Sequence, residues 1–525
     1  MTNTIADVEQ ADAIIVIGSN TTENHPVLSS FVKRAANKGT TLIVIDPRKI
    51  NLVKHADKWL RQVPGSDIAI INGLMHVIIK ENLHDKNFIA KRTENFEALE
   101  KIVKKYTPEY VSEITGIPEK DIIEAAKIYG SAKKGAILYC MGITQHTTGT
   151  DNVKSLANLA MLCGNLGIKG GGVNPLRGQN NVQGACDMGG LPNVFTAYQK
   201  VDDESARTIY EQKWRTTDLP PNPGLPVTEM VNKAANGELK SLYIIGENPL
   251  VSDPDLNHAE KAFKNLEFLV VQDIFLTETA QIADVVLPSF CFAEKNGTFS
   301  NTERRVQRVR KAVEPPGESK SDWQILCDVA SCMGYEMNYK NSEEIFQEIA
   351  DVTPSYRGIT WDRIKDIGIQ WPCPDISHPG TPILHTKMFT RGKGLFHSID
   401  NAPPKEMPDK EYPFILTTGR LLYHYHTGTM TMKSKGLNEL AKECFVEISE
   451  NDVKKLNLQD GAKVNVASRR GEISANLKVS KKAVDGTIFI PFHFSKAAAN
   501  RLTNAELCPT AKIPEFKVCA VKITA

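Results

Sequence analysis

Apolar runs near the amino terminus alternate with segments of helical periodicity. AIIVIGSN (13–20) and TLIVIDPR (41–48) have the continuous apolar character of buried strands, and FVKRAANKG (31–39) between them has helical spacing and ends in glycine. This order of strand, helix and strand predicts a parallel α/β sheet. Helical spacing recurs over 68–80, 96–106 and 119–130, and 136–140 has the pattern of another buried strand.

A second α/β unit begins at Lys240 and repeats the first. SLYIIGENP matches AIIVIGSN as a strand followed by Gly-x-Asn, and an Asp closes the next strand in each unit. Gly18 precedes Asp46 by 28 residues and Gly246 precedes Asp273 by 27, and each Asp is followed ten residues later by Ala-Asp. We therefore predict one structural unit used twice, with two unrelated sheets as the alternative.

The repeated signals indicate nucleotide binding. Ligands of open α/β sheets bind beyond the carboxyl ends of the strands, where glycine lets a phosphate approach backbone N–H groups. An acidic residue at the end of the second strand can accept hydrogen bonds from a ribose hydroxyl or a guanine edge. Because neither unit contains GxGxxG, an ordinary NAD site is disfavoured. Two half-sites predict two nucleotide ends, or one cofactor that carries both.

The rest of the chain changes character twice. A stretch rich in Gly, Pro and Asn (164–190) predicts irregular backbone that approaches another group closely, and proline-rich connections follow at 314–317, 371–374 and 401–413. From Tyr412 onward, short apolar segments alternate with polar turns. This pattern predicts a closed β domain built from FILTTG, CFVEIS, AKVNVAS, GEISANLKVS and GTIFIPF.

Composition limits the classes of partner. The 525 residues include 63 Lys+Arg and 62 Asp+Glu, a net charge of +1, which argues against a nucleic-acid or anionic-membrane binder. No apolar run approaches the ~18 residues of a membrane span, and the amino terminus lacks an export signal, so we expect a cytoplasmic multidomain protein. None of the ten cysteines forms a CxxC pair, which predicts scattered reduced thiols and no iron–sulfur cluster on this chain.

Several long motifs, in order, resemble those of one enzyme family. They are NPLRGQNNVQGACDMGG (174–190), ADVVLPSFCFAEKNGTFSNTERRVQ (283–307), TGRLLYHYHTGTMT (418–431) and ANRLT with PEFKVCAVKI near the carboxyl terminus. Over essentially its whole length the chain resembles the catalytic subunit of formate dehydrogenases, within the dimethyl-sulfoxide-reductase family of molybdopterin oxidoreductases.

The resemblance implies an α/β fold with two pseudo-symmetric dinucleotide-binding domains and a six-stranded, double-psi β-barrel. The expected boundaries are 1–179 for the first α/β domain, 180–300 for the remainder of the second, 301–404 for a connecting segment and 405–525 for the barrel. The implied cofactor is molybdenum or tungsten held by two molybdopterin guanine dinucleotides.

The resemblance also implies a set of cofactor-binding residues. Those expected at the first dinucleotide and its pterin are Gly18, Ser19, Asn20, Glu23, Asp46, Arg48, Gly65, Ser66, Asp67, Met141 and Gln145. Those expected at the second are Gly246, Asn248, Gln272, Asp273, Lys295 and Asp322. The barrel is expected to contribute Thr418, Arg420, His424, Thr427, Gly428, Phe492, Asn500 and Lys517, and Gly178 and Gln179 are expected to bind the cofactor as well.

Structural roles are the alternatives for some of these residues. His424 and His426 could be surface histidines, and Asp67 could be the N-cap of the helix that follows it. The charged run NTERRVQRVRK could be a solvated face with no other role.

The most specific prediction for a single residue concerns Arg177. In the resembling formate dehydrogenases, the arginine of Arg177-Gly178-Gln179 lies at the metal beside the substrate, whereas related nitrate reductases have threonine there. A guanidinium can hold the planar carboxylate of formate at two points. The resemblance therefore assigns Arg177 a catalytic role, with a structural salt bridge as the alternative.

One departure from the family pattern concerns the metal ligand. Family members begin with a four-cysteine iron–sulfur domain and then supply a Cys or selenocysteine to the metal. This chain has neither, so no metal ligand is expected on it, and any cluster belongs to the missing amino-terminal part. An in-frame selenocysteine codon read as a stop is the expected cause, with a natural truncation or a split protein as alternatives.

The expected activity is two-electron oxidation of formate to CO2, or the reverse reaction. An iron–sulfur or flavin subunit, or hydrogenase components, would exchange the electrons. The alternatives are a catalytically silent cofactor-binding chain, and a related enzyme such as nitrate reductase, which Arg177 disfavours.

Overall fold

The computed structural model describes all residues, 1–525, and the chain divides into two compact units. The first unit comprises 1–178, 254–257 and 383–525, and the second comprises 179–253 and 258–382. None of the helices combines the length and apolar composition that a membrane span requires.

The strands are short and lie in both units. They are β1 (Ala13–Ile17), β2 (Thr41–Ile45), β3 (Lys58–Leu60), β4 (Thr93–Glu94), β5 (Gly135–Tyr139), β6 (Gly172–Pro175), β7 (Ser241–Ile245), β8 (Phe268–Asp273), β9 (Val285–Pro288), β10 (Gly297–Ser300), β11 (Arg305–Val309), β12 (Ile369–Gln370), β13 (Gly394–Leu395), β14 (Phe414–Gly419), β15 (Phe445–Ile448), β16 (Lys463–Ala467), β17 (Glu472–Val479), β18 (Thr487–Pro491) and β19 (Cys519–Thr524).

The helices concentrate in the amino-terminal half. They are α1 (Thr21–Asn24), α2 (Pro26–Asn37), α3 (Asp67–Lys80), α4 (Lys86–Arg92), α5 (Phe96–Val103), α6 (Pro108–Thr115), α7 (Glu119–Ser131), α8 (Met141–Thr144), α9 (Gly149–Leu162), α10 (Val182–Asp187), α11 (Glu204–Trp214), α12 (Val227–Ala235), α13 (Pro249–Ser252), α14 (Leu256–Lys264), α15 (Asp322–Cys332), α16 (Ser342–Val352), α17 (Lys435–Leu440) and α18 (Glu450–Lys455).

The first unit contains a doubly wound parallel sheet in the order β3-β2-β1-β5-β6. Ile15, Ile43 and Ile137 face a core formed with α3, α5, α6, α7 and α9, while alternate strand residues face a second core formed with α2. Burial on both faces explains why these strands are continuously apolar. The strand order reverses between β1 and β5, and ligands bind at such switch points in open α/β sheets.

A closed barrel in the order β14-β18-β15-β17-β16-β19 occupies the carboxyl-terminal part of the first unit. Inward side chains of β16 and β17 alternate with exposed ones, whereas β18 is buried throughout. Five of these strands coincide with the sequence prediction, and β19 completes the six-stranded barrel.

The second unit contains the parallel sheet β7-β8-β9 and the antiparallel sheet β10-β11-β12. The face of β7 and β8 that carries Leu242 and Ile244 packs on α12 and α14. In the charged run beyond β10, Arg304 is buried and donates to the carbonyls of Thr381 and Pro382 at 3.0 and 3.2 Å. The solvated-face interpretation is therefore wrong for this arginine.

The repeat in the sequence is also a repeat of local structure. Gly18 N–H donates to the Ile45 carbonyl at 3.0 Å, and Gly246 N–H donates to the Gln272 carbonyl at 2.8 Å. The Asp of the Ala-Asp pair in each repeat accepts a hydrogen bond from the second strand of that repeat. Asp57 accepts from Leu42 N–H at 2.8 Å, and Asp284 accepts from Leu269 N–H at 2.7 Å. Both Gly-x-Asn turns have positive φ at the glycine, as their sequences require.

Candidate functional site

A cleft in the first unit lies where the carboxyl ends of β1, β2 and β5 meet loops of the barrel. It encloses about 890 Å³ of space, its open mouth included. Twelve of the predicted residues line it: Gly18, Asn20, Asp46, Arg48, Gly65, Asp67, Met141, Gln145, Thr418, Arg420, Phe492 and Lys517. The remaining wall is formed by Asn24, Pro47, Ile50, Gln62, Pro64, Cys140, Gly142, His146, Thr417, Gly419 and Phe489.

The floor of the cleft depends on two glycines that touch through their backbones. Gly142 N–H donates to the Gly18 carbonyl at 3.0 Å, so the turn after β1 lies against the turn after β5. Gly18 has a φ of +56°, and a Cβ there would lie 2.8 Å from the carbonyl carbon of Gly142. Only glycine fits this approach, which sets the width of the cleft between the two strands.

Two cations from the barrel face the cleft. The Lys517 ammonium donates to the Thr418 carbonyl at 2.6 Å, and burial together with the nearby Arg420 charge lowers the pKa of Lys517 to about 8. The Arg420 guanidinium lies 5.7 Å from the centroid of the Phe492 ring. Two neighbouring positive charges without a carboxylate partner make the cleft suited to an anion.

Two carboxyl groups lie in the opposite wall. Asp46 accepts from Arg48 N–H at 2.9 Å, and Asp67 accepts from the Gln62 amide at 3.2 Å. Burial raises the pKa of each to about 6. Asp67 is the first residue of α3 and Ser66 is its N-cap residue, so the N-cap alternative for Asp67 is wrong.

Several buried polar atoms of the cleft lack a partner within the protein. These are Asn20 Oδ1, Asn24 Oδ1, Gln62 Oε1 and His146 Nδ1. Leaving such groups unsatisfied costs about 1–3 kcal/mol each, so they favour a ligand that supplies hydrogen-bond partners. A dinucleotide matches both features of the cleft. Its anionic pyrophosphate suits the two cations, and the N–H and O–H donors of its bases and sugars suit the partnerless acceptors. The residues present therefore fit the implied cofactor.

His146 lies at the back of this wall between two carboxyl groups. Its Nε2 is 3.7 Å from Asp67 and its Nδ1 is 3.9 Å from Glu515. Glu515 also accepts from Thr147 N–H and from the Thr147 hydroxyl, both at 3.2 Å. Burial dominates and lowers the pKa of His146 to about 4, so the ring is neutral at pH 7.

Arg48 braces the cleft. Its guanidinium pairs with Glu447 of β15 at 2.7 Å and lies 3.5 Å from the centroid of the Phe489 ring. Both charged side chains are nearly buried, so the pair ties the turn after β2 to the barrel. The expected contact between Arg48 and a guanosine stays a prediction.

Arg177 follows β6, and its backbone is held by a histidine. His25 Nε2 donates to the Arg177 carbonyl at 2.7 Å, while burial lowers the pKa of His25 and its Nδ1 has no protein partner. Arg177 itself is half-buried and is not among the residues that line the cleft. Gly178 packs against Arg420, since a Cβ at residue 178 would lie 2.5 Å from Arg420 Nη1. Gln179 begins the second unit.

Of the remaining predicted barrel residues, three lie in the loop after β14 and Asn500 follows β18. His424 is buried and bonds Thr431 Oγ1 at 3.1 Å and the Ala441 carbonyl at 2.6 Å, so the surface alternative is wrong for it. The Thr427 hydroxyl bonds the Thr429 hydroxyl at 2.9 Å. Gly428 and Asn500 are buried in the same unit.

Three other residues predicted for the first dinucleotide, Ser19, Glu23 and Ser66, do not line the cleft. Glu23 is 3.6 Å from the Lys482 ammonium, the Ser66 hydroxyl donates to the Val63 carbonyl at 2.7 Å, and Ser19 is buried with a partnerless hydroxyl.

A second cluster in the second unit gathers most of the residues predicted for the other dinucleotide. Asp322 accepts from Gln272 Nε2 at 2.9 Å and pairs with Lys295. Asn248 Oδ1 accepts from Thr279 N–H at 3.2 Å. Asp273 ends β8 and accepts from Phe275 N–H at 3.1 Å, and burial raises its pKa. Gly246 begins the turn after β7.

Sequence reasoning missed His25, Gln62, Asn24 and Glu515. Asn24 directly follows the predicted Glu23, and Glu515 lies within the PEFKVCAVKI motif two residues before Lys517, whereas His25 and Gln62 belong to no such motif. His146 could have been found, because it directly follows Gln145 in CMGITQH.

Comparison with protein families gives two matches. Residues 1–332 match the molybdopterin oxidoreductase family, and residues 414–520 match the molydopterin dinucleotide binding domain. The second match covers nearly all of the barrel.

Curated relatives span the whole chain. The F420-dependent formate dehydrogenase subunit alpha of Methanocaldococcus jannaschii is 56% identical over 527 residues, covering 100% of this chain and 78% of the relative. Formate dehydrogenase H of Escherichia coli is 43% identical over 529 residues, covering 100% of this chain and 74% of the relative.

Among solved structures, acetylene hydratase from Pelobacter acetylenicus matches with a TM-score of 0.77 at 19% identity, covering 99% of this chain and 80% of that one. At this identity the likeness concerns the fold alone. The predicted fold class, with its α/β sheets and closed six-stranded barrel, is confirmed. The chain belongs to the molybdopterin oxidoreductase family.

Proposed function

We propose that this chain is the cofactor-binding catalytic subunit of a formate dehydrogenase. The observation that carries the proposal is the cleft in which Arg420 and Lys517 stand beside partnerless acceptors, with Arg177 held nearby by His25. Relatives at 56% and 43% identity that bear the name formate dehydrogenase support the substrate.

Each group has a role in this proposal. Arg420 and Lys517 bind the anionic pyrophosphate, and Asn20, Asn24 and Gln62 accept hydrogen bonds from the remainder of the first dinucleotide. Gly246, Asn248, Gln272, Asp273, Lys295 and Asp322 serve the second dinucleotide. When bound, the molybdenum or tungsten bis(molybdopterin guanine dinucleotide) supplies the two-electron redox chemistry.

Arg177 is proposed to hold the substrate. Its planar guanidinium can donate two parallel hydrogen bonds to the formate carboxylate and so orient the C–H bond. Oxidation converts formate into CO2, one proton and two electrons, and an electron-transfer subunit would take up the electrons. Arg177 is half-buried beyond β6, and the neighbouring Gly178 packs against Arg420 of the cleft.

The test is formate-dependent dye reduction, expressed per bound metal atom, in the wild type and in Arg177→Lys. Lysine keeps the charge but cannot reproduce a two-point grip, so turnover should fall about a hundred- to thousandfold while metal and nucleotide content stay normal. Normal turnover per metal in Arg177→Lys would refute the substrate-binding role.

A catalytically silent chain gives a different result. It would retain metal and guanine nucleotide yet show no formate-dependent reduction in the wild type, which would refute the enzymatic proposal and leave the cofactor-binding one.

A further inference from the structure

His493 is a fully buried histidine that follows β18, and both of its ring nitrogens bond to the loop after β14. Nε2 accepts from Leu421 N–H at 2.7 Å, and Nδ1 bonds the His426 carbonyl. An amide N–H can only donate and a carbonyl can only accept, so Nδ1 carries the proton and Nε2 does not. The contacts therefore fix one neutral tautomer.

The two contacts span a short segment, 421–426, that begins directly after a cation of the cleft. Leu421 directly follows Arg420, and His426 lies at the other end of the segment. The two bonds to the His493 ring tie both ends of this segment to the residues after β18, where the rings of His424 and His426 also pack on Phe494 and Phe492. Gly428 packs so closely on the His493 carbonyl that a Cβ at residue 428 would lie 2.7 Å from it. One imidazole thus anchors the loop at both ends.

The position of Arg420 follows from this anchor. Its guanidinium lies over the Phe492 ring and against Gly178, where there is no room for a side chain at residue 178. A shift of the Leu421 amide would carry the adjacent Arg420 backbone with it. The cation would then leave the wall of the cleft that faces the anion.

We propose that His493 is the positioning residue of Arg420: it sets the guanidinium for cofactor binding through the Leu421 contact. This rests on the proposed function only where cofactor binding is concerned. A ring that merely filled the barrel core could be replaced by any side chain of similar shape.

Three substitutions separate the two contacts. The amide of Asn reaches the place of Nδ1 and can donate to the His426 carbonyl, but it cannot reach Leu421. The amide of Gln reaches the place of Nε2 and can accept from Leu421 N–H, but the His426 carbonyl then has no donor at this position. His493→Phe keeps the shape and removes both, and His55→Asn, at an exposed histidine of the same unit, is the matched control.

The first readout needs no cofactor. Hydrogen exchange at the Leu421 amide should be about tenfold faster in His493→Asn and His493→Phe than in the wild type, and close to wild type in His493→Gln. The rate at which phenylglyoxal modifies Arg420 should follow the same order. Equal behaviour of the Asn and Gln variants would overturn the proposal.

The second readout asks whether His493 acts through Arg420. Guanine nucleotide retained per chain should fall about fivefold in His493→Asn and recover in His493→Gln. Combining His493→Asn with Arg420→Gln should cause no loss beyond that of Arg420→Gln alone, whereas independent losses would assign His493 a purely structural role. A wild type without guanine nucleotide would refute the proposed function, and the exchange and modification rates would still decide the positioning role.

Discussion

Substituting Gly18 with alanine tests whether the contact between the turns after β1 and β5 shapes the cleft. Two penalties apply at this position. A φ of +56° costs an alanine about 1–2 kcal/mol. Its Cβ would also lie 2.8 and 2.9 Å from backbone atoms of Gly142 and Ile143, and such overpacking costs about 1–3 kcal/mol more. The expected destabilisation is therefore about 2–5 kcal/mol.

Gly317 is a matched control, because its φ is also +56° and nothing lies within 4 Å of the Cβ it would gain. Gly317→Ala should cost only the conformational share, about 1–2 kcal/mol. A chain of two units has no single unfolding free energy, so the assay is native-state hydrogen exchange in urea, read on β1 and β5 for Gly18→Ala and on β11 for Gly317→Ala.

The two variants should also differ in cofactor content. Gly18→Ala must displace the turn that carries Met141 and Gly142, so guanine nucleotide should be lost from the purified protein. Gly317→Ala should retain it. Equal destabilisation by both substitutions, or full retention of nucleotide by Gly18→Ala, would refute the argument that backbone contact sets the width of the cleft.

Three further outcomes follow from the same geometry. Arg48→Met should destabilise the first unit by about 3–5 kcal/mol, because it leaves Glu447 buried without its partner, while Arg48→Met combined with Glu447→Gln should cost less in urea unfolding. Burial raises the pKa of Asp67 to about 6, above its unfolded value of 3.8, so the native carboxyl keeps its proton and its contribution to cofactor-free stability falls as pH rises from about 4 to 6. The difference in thermal stability between Asp67→Asn and the wild type should therefore grow in favour of the variant over that range. His25→Asn should lower formate turnover per metal by releasing the Arg177 carbonyl, whereas His25→Gln, which can still donate to it, should not.

Hydrophobic periodicity predicted those helices that pack against segments close to them in sequence. The helix expected over 68–80 is α3 (Asp67–Lys80), and the one expected over 119–130 is α7 (Glu119–Ser131). Both have apolar stripes that pack on the first sheet, so the local pattern carries the information. β19 (Cys519–Thr524) overlaps the PEFKVCAVKI motif and is not among the predicted strands, although it pairs with β14 and β16.

The division of the chain into units could not be inferred from local signals. The first unit is interrupted after Gly178 and resumes at Ile383, apart from 254–257. At neither point does the composition show whether the first unit ends there or is only interrupted by the second unit. The predicted domain limits stay a prediction.

The site was predicted where a residue belongs to a long motif, as Arg420 and Lys517 do. Residues outside such motifs escaped prediction, as Gln62 did. Glu515 lies in the same motif as Lys517, but its contact with Thr147 spans 368 positions of sequence, so the motif does not reveal the partner. His493 escaped for a related reason, since its role depends on two atoms of a loop that the sequence places about 70 residues away.

The stoichiometry of bound guanine nucleotide and metal in the purified wild-type protein tests the central claim most directly. We expect two guanine nucleotides for each atom of molybdenum or tungsten, because the two Gly-x-Asn units each serve one dinucleotide. We also expect loss of both components when Arg420 and Lys517 are replaced together by glutamine. A protein that carries metal without guanine nucleotide, or that keeps its nucleotide in the double variant, would contradict the proposed cofactor-binding role.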